Sequence, residues 1–348
     1  MLENKYRAIL QDYLERGYFG SAVLKIFGKM GTDISIALGD AREDSVFDVA
    51  SLTKLATSTQ IMHLIKRGRL AVYDEILEYL PELCENRFLA ERLAKVKLFQ
   101  LLTHTSILPK WYPLYALEGS FSDRLEQAIA RQAEATGVTY GDINFMLLGK
   151  VIEHCYDMPL EESLQNNLVL PFHLGNMSYL PKDKEKVIPS SYNDGREQRI
   201  CEAMGVHFDH FRNNQIIQGD VNDGNAYHYF HGVAGHAGIF ADARSYENLC
   251  QLYMQSDHCP FLLSAMQDKG MGRGFGFEHG DHYPDGCGHS GFTGTALWIS
   301  KSRNTGVVLF TNRLFSPQPI TTAQIWEVRR HIFMEAYRDF EIGENLER

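Results

Sequence analysis

The sequence predicts an α+β fold of two subdomains, in which one antiparallel β-sheet is built from both ends of the chain and flanked by helices. Strand-like stretches occur near the amino terminus and again in the last quarter, whereas the middle of the chain is mostly helical. The 348 residues also exceed the length at which a single hydrophobic core usually keeps growing. We therefore expect residues 1–69 and 260–348 to form the sheet subdomain, residues 70–259 to form an inserted helical subdomain, and a cleft to lie between them.

The amino-terminal part begins with a helix and a β-hairpin. Apolar side chains at helical spacing predict a helix over residues 2–16. Residues 20–27 and 33–38 are strand-like and flank a glycine-containing turn at residues 28–32, which is typical of a hairpin.

Beyond the hairpin, helical patterns dominate until strand patterns return near the end. The further predicted elements are a helix from Ser51 to about Arg67, a short helix at 98–106 that stops in a polar turn, helices at 140–157 and 160–170, a surface loop at 181–225, a helix at 245–255, strands at 272–278, 295–300 and 306–311, and a closing helix at 324–339.

Composition restricts the functional classes. Hydrophobic residues make up 44% and charged residues 22%, which is ordinary for a soluble enzyme. A net charge of −10 without a long basic run argues against nucleic-acid binding. No stretch has the apolar length of a membrane span or of a signal peptide, and the six cysteines contain no Cys-x-x-Cys pair. We therefore expect a cytoplasmic protein with reduced thiols and no membrane partner.

The first chemical motif is Ser51-Leu-Thr-Lys54, at the start of a predicted helix. Residues three apart share a helix face, so the Lys54 amine can lie beside the Ser51 hydroxyl. A serine hydroxyl needs a neighbouring base to become a nucleophile, and a partly desolvated lysine can supply one. The same four residues also occur in an ordinary capped helix start, so the motif depends on its context.

The second motif is Tyr140-Gly-Asp142, at the start of the helix predicted over 140–157. A tyrosine beside a lysine can have a lowered pKa and act as a general base. The alternative is a tyrosine that merely caps a buried helix.

The third motif is the glycine-rich segment Gly288-His289-Ser290-Gly291-Phe292, which leads into a strand. Glycine allows a close approach of the backbone to a ligand, and an edge strand offers unpaired N–H groups. One such N–H, together with that of Ser51, would form an oxyanion hole. The alternative is a tight turn before a core strand.

Taken in this order, the three motifs resemble those of the serine β-lactamase and penicillin-binding-protein superfamily, and most closely its class C β-lactamase and esterase branch. The segment from Leu101 to Ser106 is similar to the family's Leu-Leu-x-His-Thr-Ser, and residues 234–240 resemble its small-residue loop. The resemblance extends from about Phe19 to Thr311. It implies the β-lactamase/transpeptidase-like fold.

The resemblance also implies a role for each motif residue. Ser51 would be the acylated nucleophile, Lys54 its proton partner and Tyr140 the general base or acid. The substrate-binding residues would be Asp142, His289, Ser290, Gly291 and Phe292, with the N–H groups of Ser51 and Phe292 forming the oxyanion hole. Two positions depart from the family: Asp142 stands where asparagine is more common, and His289 where lactamases have lysine.

Several other patterns are interpreted as structural. His228, His231 and His236 match no zinc signature, and Glu162 to Asn166 is interpreted as a solvated helix face. The glycines between residues 272 and 276 do not precede a helix, so they are not a nucleotide loop. For Trp111, Tyr112 and Tyr115, lining a cleft and packing under a loop remain equal alternatives.

The resulting expectation is a serine hydrolase that forms an acyl-enzyme at Ser51 with a small amide, ester or β-lactam substrate, or a D-alanyl peptide, and needs no metal or organic cofactor. The alternative is a penicillin-binding or sensing protein that is acylated but turns over little. The sequence leaves the substrate and the oligomeric state open.

Overall fold

A computed structural model describes residues 2–28, 33–255, 259–316 and 320–340. The strands are β1 (Ala22–Gly28), β2 (Ile34–Leu38), β3 (Phe47–Asp48), β4 (Met177–Ser178), β5 (Phe240–Ala241), β6 (Cys287–Ser290), β7 (Ala296–Ser300) and β8 (Thr305–Thr311). The α-helices are α1 (Leu2–Glu15), α2 (Thr53–Lys66), α3 (Arg87–Leu93), α4 (Leu98–Leu102), α5 (Phe121–Ala130), α6 (Asp142–Tyr156), α7 (Leu160–Leu164), α8 (Gly195–Met204), α9 (Ala243–Met254), α10 (Pro260–Met266) and α11 (Thr322–Asp339).

The main sheet has the strand order β2-β1-β8-β7-β6, and all its neighbours are antiparallel. The two ends of the chain meet where β1 pairs with β8, in a register that sets Ala22 opposite Thr311. The predicted α+β fold, with one antiparallel sheet built from both termini, is therefore confirmed. A small second sheet, β3-β5-β4, joins the segment before α2 to the middle of the chain.

Helices cover both faces of the main sheet. On β1, Leu24 and Ile26 belong to a core that includes α1 and α11, whereas Val23 and Phe27 belong to the larger core on the opposite face. Successive side chains of a strand point to opposite faces, so a strand buried on both sides is apolar throughout. This explains why β7 and β8 are buried along their whole lengths.

The predicted strand at residues 272–278 is wrong. This segment forms turns held by isolated bridges from Glu278 to Arg273 and to Gly288, and the edge strand of the sheet is β6. Gly272 and Gly276 have φ values of +73° and +80°, which extended strand residues do not adopt. These glycine conformations therefore prevent the segment from being a strand.

The predicted surface loop at 181–225 is only partly correct. It contains the ten-residue helix α8, and several of its polar side chains are buried, among them Asp194, Glu197 and Arg212. Arg212 forms two-pronged hydrogen bonds to Asp194, which also contacts His228 Nε2 at 2.9 Å. Because these charges satisfy one another, the segment can be polar in sequence and still lie inside the protein.

The other predicted elements lie close to the observed ones. The helix at 160–170 consists of α7 followed by a π-helical turn, Gln165–Val169. The predicted turn at 28–32 falls mostly at residues 29–32, outside the described residues. Among the helices described, none is both long enough and apolar enough to cross a membrane.

Candidate active site

Ser51 lies in a short 3₁₀ turn, Ala50–Leu52, between β3 and α2. Ala50 has a φ of +48°, which is costly for a residue with a Cβ atom, and its N–H donates to the Asp48 carboxylate at 2.8 Å. The Asp48 carboxylate also accepts from the Asn222 N–H at 2.7 Å. A strained turn held from two sides thus fixes the serine at the amino-terminal end of a helix, where partial positive charge favours a developing anion.

Lys54 is completely buried beneath Ser51. Its Nζ atom donates to Ser51 Oγ at 3.0 Å, to Asp142 Oδ1 at 2.7 Å and to the His236 carbonyl at 3.1 Å. Burial alone would lower the pKa of the Lys54 ammonium, but the nearby Asp142 carboxylate outweighs that effect and raises the pKa above its usual value. Lys54 is therefore a cation in the resting protein.

Tyr140 precedes α6 and is positioned by the turn that follows α4. The His104 carbonyl accepts from the Thr139 N–H at 2.8 Å, and His104 Nδ1 accepts from the Gly141 N–H at 3.1 Å. The Tyr140 ring then lies with its centroid 5.1 Å from Lys54 Nζ. Burial raises the pKa of the Tyr140 phenol, and the Lys54 ammonium only partly offsets this, so the resting phenol keeps its proton.

The loop after β6 is tied directly to the serine turn. Thr293 Oγ1 donates to the Asp48 carbonyl at 2.8 Å, and Thr295 Oγ1 donates to the Val49 carbonyl at 2.9 Å. Gly291 permits this approach, because a Cβ atom there would lie 2.1 Å from Thr295 Oγ1. These contacts bring Phe292 to the same cavity as Ser51.

His289 is buried behind this loop, with its ring centroid 5.9 Å from that of Tyr140. Its Nδ1 lies 3.0 Å from the Ser290 carbonyl, while its buried Nε2 has no hydrogen-bond partner among the described residues. Burial, together with the charges of Lys54 and Arg273, holds the pKa of His289 well below its usual range. The third motif therefore contributes a neutral imidazole and no fixed cation.

The small-residue loop at 234–240 closes the site from behind. A Cβ atom at Gly235 would lie 2.2 Å from the Phe145 carbonyl, so only glycine fits against α6 there. The Gly235 carbonyl accepts from Thr57 Oγ1 at 2.7 Å, and the next carbonyl in the chain is the one that Lys54 contacts. This loop thus fixes α2 and α6 relative to each other.

A cavity of about 570 Å³ opens above these groups. Of the eight residues that the sequence singled out, Ser51, Tyr140, Asp142 and Phe292 line it. Lys54 lies below it, bonded to two of those four residues. His289, Ser290 and Gly291 are not part of its lining, although β6 carries Phe292 to its edge.

Sequence reasoning missed a further set of cavity residues that all lie in the segment interpreted as a surface loop: Arg196, Glu197, Ile200, Met204, Asn222 and Asp223. A signal was present, since residues 195–204 combine apolar and polar positions in the manner of a short amphipathic helix that ends at Gly205. Trp111 lines the cavity, whereas Tyr112 and Tyr115 are buried. Of the two alternatives for these aromatic residues, lining therefore holds for Trp111 and packing for the two tyrosines.

One group of described residues has ligand atoms close enough together to hold a metal ion. It consists of Asp142, Asp223 and His236, whose ligand atoms lie within 4.8 Å of one another. The Lys54 ammonium is already bonded to Asp142, and His236 Nε2 contacts Asp223 Oδ1 at 2.9 Å. The Lys54 ammonium therefore already supplies positive charge beside these two carboxylates. His228 pairs instead with Asp194, away from His236.

Comparison with known proteins finds a family match and several similar folds. A family model described as Beta-lactamase matches residues 7–329. An N-acetylmuramyl-L-alanine amidase of Bacillus subtilis is 27% identical over 334 residues, which cover 86% of this chain and 73% of that protein. Among solved structures, a β-lactamase/D-alanine carboxypeptidase from Pseudomonas syringae superimposes with a TM-score of 0.72 at 17% identity, covering 99% of this chain and 100% of its own. A D-amino acid amidase from Ochrobactrum anthropi also superimposes with a TM-score of 0.72, at 15% identity. The superposition covers 97% of this chain and 99% of the amidase.

Proposed function

The chain belongs to the Beta-lactamase family and is a hydrolase of that family, and we propose that it hydrolyses amide bonds through an acyl-enzyme at Ser51. The observation that carries the proposal is the Ser51 Oγ to Lys54 Nζ contact of 3.0 Å at the floor of a cavity that Tyr140 also lines. The substrate would lie in the cleft between the sheet part, residues 1–69 and 260–348, and the helical part, residues 70–259.

Ser51 Oγ attacks the substrate carbonyl carbon, and the carbonyl oxygen becomes an oxyanion. The N–H groups of Ser51 and Phe292 would receive it. Ser51 stands next to the amino-terminal end of α2, so the helix adds partial positive charge at the same place. Preorganised donors of this kind supply much of the catalytic power of hydrolases, because they stabilise charge that appears only in the transition state.

The Ser51 proton leaves through Lys54. Because Lys54 is a cation at rest, it can accept that proton only while passing one of its own to Asp142, whose Oδ1 is 2.7 Å away. The aspartate that replaces the family's usual asparagine would thus act as the proton store of the relay. Tyr140, which keeps its phenolic proton, would give that proton to the leaving nitrogen and recover one through Lys54. Water then attacks the acyl carbon and gives up a proton to the Lys54–Asp142 relay, and the same groups pass that proton to Ser51 Oγ as its bond to the acyl group breaks.

Among the family's substrates, an amide is favoured by the Bacillus subtilis relative, which is named an N-acetylmuramyl-L-alanine amidase. We propose a peptide-like amide of this general type. The test is product release from a panel of N-acetylmuramyl-L-alanine, N-acetyl-D-alanyl-D-alanine, a penicillin and an activated ester, each with the wild type and with Ser51→Ala.

The proposal expects release of an amine product from at least one amide, and no release by Ser51→Ala above the buffer rate. Amide turnover that survives in Ser51→Ala would overturn it. A Ser51 adduct that persists for hours with every probe would instead favour a penicillin-binding or sensing protein.

A further inference from the structure

The cavity above Ser51 has an apolar wall as well as a reactive floor. Four large apolar side chains line it, and they come from three separate segments: Trp111 from the chain before α5, Ile200 and Met204 from α8, and Phe292 from the loop after β6. Ligand sites in proteins usually combine such apolar walls with a few precisely placed polar groups. The reactive group of this site is known, so the question is what the apolar wall contacts.

These four side chains are not used to build the hydrophobic cores. Trp111, Ile200 and Phe292 are half-buried, yet among the described residues they belong to none of the three hydrophobic clusters. Met204 is 40% exposed. Because removal of apolar surface from water is favourable, several uncovered apolar side chains in one cleft favour a ligand that covers them.

Helix α8 presents Ile200 and Met204 to the cavity because its neighbouring face is anchored. Glu197 and Cys201 are buried on that face, where the Tyr115 hydroxyl donates to Glu197 Oε2 at 2.9 Å and lies 3.4 Å from Cys201 Sγ. Residues four apart share a helix face, so Ile200 and Met204 lie side by side. The apolar wall is therefore held in place by contacts that a ligand does not have to supply.

Five polar side chains of the lining already have partners within the protein. They are Gln132, Asp142, Glu197, Asn222 and Asp223. Gln132 Nε2, for example, donates to the Trp111 carbonyl at 3.2 Å, and Asn222 Nδ2 donates to Ser191 Oγ at 2.6 Å. A polar ligand group would have to compete with these bonds, whereas an apolar group needs only the uncovered apolar surface.

The two cations of the lining are compatible with an apolar ligand. Lys110 is exposed, and the Arg196 side chain is 53% exposed, so water solvates both charges. The Arg196 guanidinium carbon also lies 4.1 Å from the centroid of the Phe292 ring. Long cationic side chains keep their charged ends in water while their carbon stems cover apolar surface, so these residues extend the apolar wall.

On the basis of the function proposed above, we propose that Trp111, Ile200, Met204 and Phe292 form a subsite that binds an apolar group of the substrate. The substrate carbonyl is then held at Ser51 while the hydrocarbon part of the same molecule covers the four side chains. The preferred substrates are peptide-like amides, and the corresponding esters, that carry an extended alkyl or aromatic group on one side of the scissile bond.

Two pairs of ester substrates test the subsite and identify the side of the scissile bond. In the first pair, p-nitrophenyl hexanoate is compared with p-nitrophenyl acetate, so that only the acyl chain differs. In the second pair, the pentyl ester of N-acetylglycine is compared with its methyl ester, so that only the alcohol differs. The measured quantity is the ratio of kcat/KM for the longer ester to kcat/KM for the shorter one, divided by the same ratio for hydrolysis in buffer.

In the wild type we expect a ratio of about ten or more in one of the two pairs, because each methylene that leaves water contributes about fourfold. Ile200→Thr and Met204→Gln place a polar atom in the wall at nearly unchanged shape, so each should lower that ratio by about threefold or more. The matched control is Ile216→Thr, the same substitution at a residue of the same segment that is 53% exposed and lies outside the cavity lining. It should give the wild-type ratio.

A wild-type ratio near one in both pairs would overturn the subsite. So would a ratio that Ile200→Thr and Met204→Gln leave unchanged, or one that falls equally in Ile216→Thr. Labelling of Ser51 by a fluorophosphonate in the same samples separates these results from failure of the proposed function. Labelled enzyme without a preference for the longer ester contradicts the subsite alone, whereas unlabelled enzyme contradicts the nucleophile and, with it, the subsite.

Discussion

The Ser51 end and the Phe292 end of the cavity differ in how their charges are balanced. At the Ser51 end, Lys54 is bonded to Asp142 at 2.7 Å and His236 to Asp223 at 2.9 Å. At the Phe292 end, Arg196 and Arg313 stack on an aromatic ring and have, within the described ranges, no carboxylate closer than 3.5 Å. Within the described residues, the Lys54 ammonium therefore has a close carboxylate partner, whereas the two guanidinium groups have none as close.

Removal of the paired cation should have the largest effect. Lys54→Met keeps the length of the buried stem but removes the amine that contacts Ser51 Oγ, which we propose as its proton acceptor, and the partner of Asp142. We expect kcat/KM for an amide substrate to fall by about a thousandfold or more, as for other members of a nucleophile–base unit. Steady-state kinetics measures it, with the thermal midpoint as the control for folding. A fall of less than about tenfold in a folded variant would show that Lys54 is not in the proton path.

Asp142→Asn removes the carboxylate that we propose as the proton store but leaves an amide that can still orient Lys54. Without the carboxylate, burial lowers the pKa of Lys54, and the lysine must lose a proton to solvent before it can accept one from Ser51. We expect kcat/KM to fall by about ten- to a hundredfold at pH 7, and the deficit to shrink as the pH rises. The pH–rate profiles of both proteins measure it. A deficit of constant size at every pH would mean that Asp142 only positions Lys54.

Glu197→Gln tests the raised pKa of the Glu197 carboxyl at the Phe292 end of the cavity. In the folded protein the pKa of Glu197 is about 7, above its ordinary value of 4.5, so the folded state holds this proton after the unfolded state has lost it. The wild type should therefore lose stability as the pH rises from about 4.5 to about 7, and the variant should lose less, with a difference of about 3 kcal/mol at pH 8. Urea unfolding at pH 4.5 and pH 8 measures it. Parallel changes in the two proteins would contradict the raised pKa.

The smallest effect is expected for an exposed ion pair that lies outside the cavity. Arg87 Nε lies 2.8 Å from Glu91 on α3, but the two side chains are 91% and 68% exposed. Solvent screens such pairs, so Arg87→Met should change the free energy of unfolding by less than about 0.5 kcal/mol and leave the kinetics unaltered. Urea unfolding and the amide assay check both values, and a change comparable to that of Glu197→Gln would show that solvent does not screen this exposed pair as expected.

The Ser51 end was largely predictable from the sequence, whereas the Phe292 end was not. Ser51 and Lys54 are three residues apart on one helical segment, so local geometry alone places them together. Arg196 and Arg313 are more than a hundred residues apart and meet only because β8 delivers Arg313 beside the loop after β6. Nothing in either local sequence indicates that contact.

The fold likewise has parts that the sequence predicts well and parts that it does not. Apolar strands at both ends predicted the sheet correctly, because burial on both faces leaves a continuous apolar pattern. The segment at 272–278 was misjudged because its aromatic residues favour a strand while the positive φ angles of Gly272 and Gly276 forbid one. The segment at 181–225 was misjudged because its buried charges pair with one another, and polar composition then no longer indicates exposure.

The most direct test of the central claim, that Ser51 and Lys54 form the reactive pair, is peptide mapping by mass spectrometry after acid quench of the enzyme with an activated ester. The wild type should carry the acyl group on the peptide that contains Ser51, Lys54→Met should acquire it at least about a hundredfold more slowly, and Ser51→Ala should not acquire it. An acyl group on another residue, or one that forms equally fast in Lys54→Met, would contradict the account.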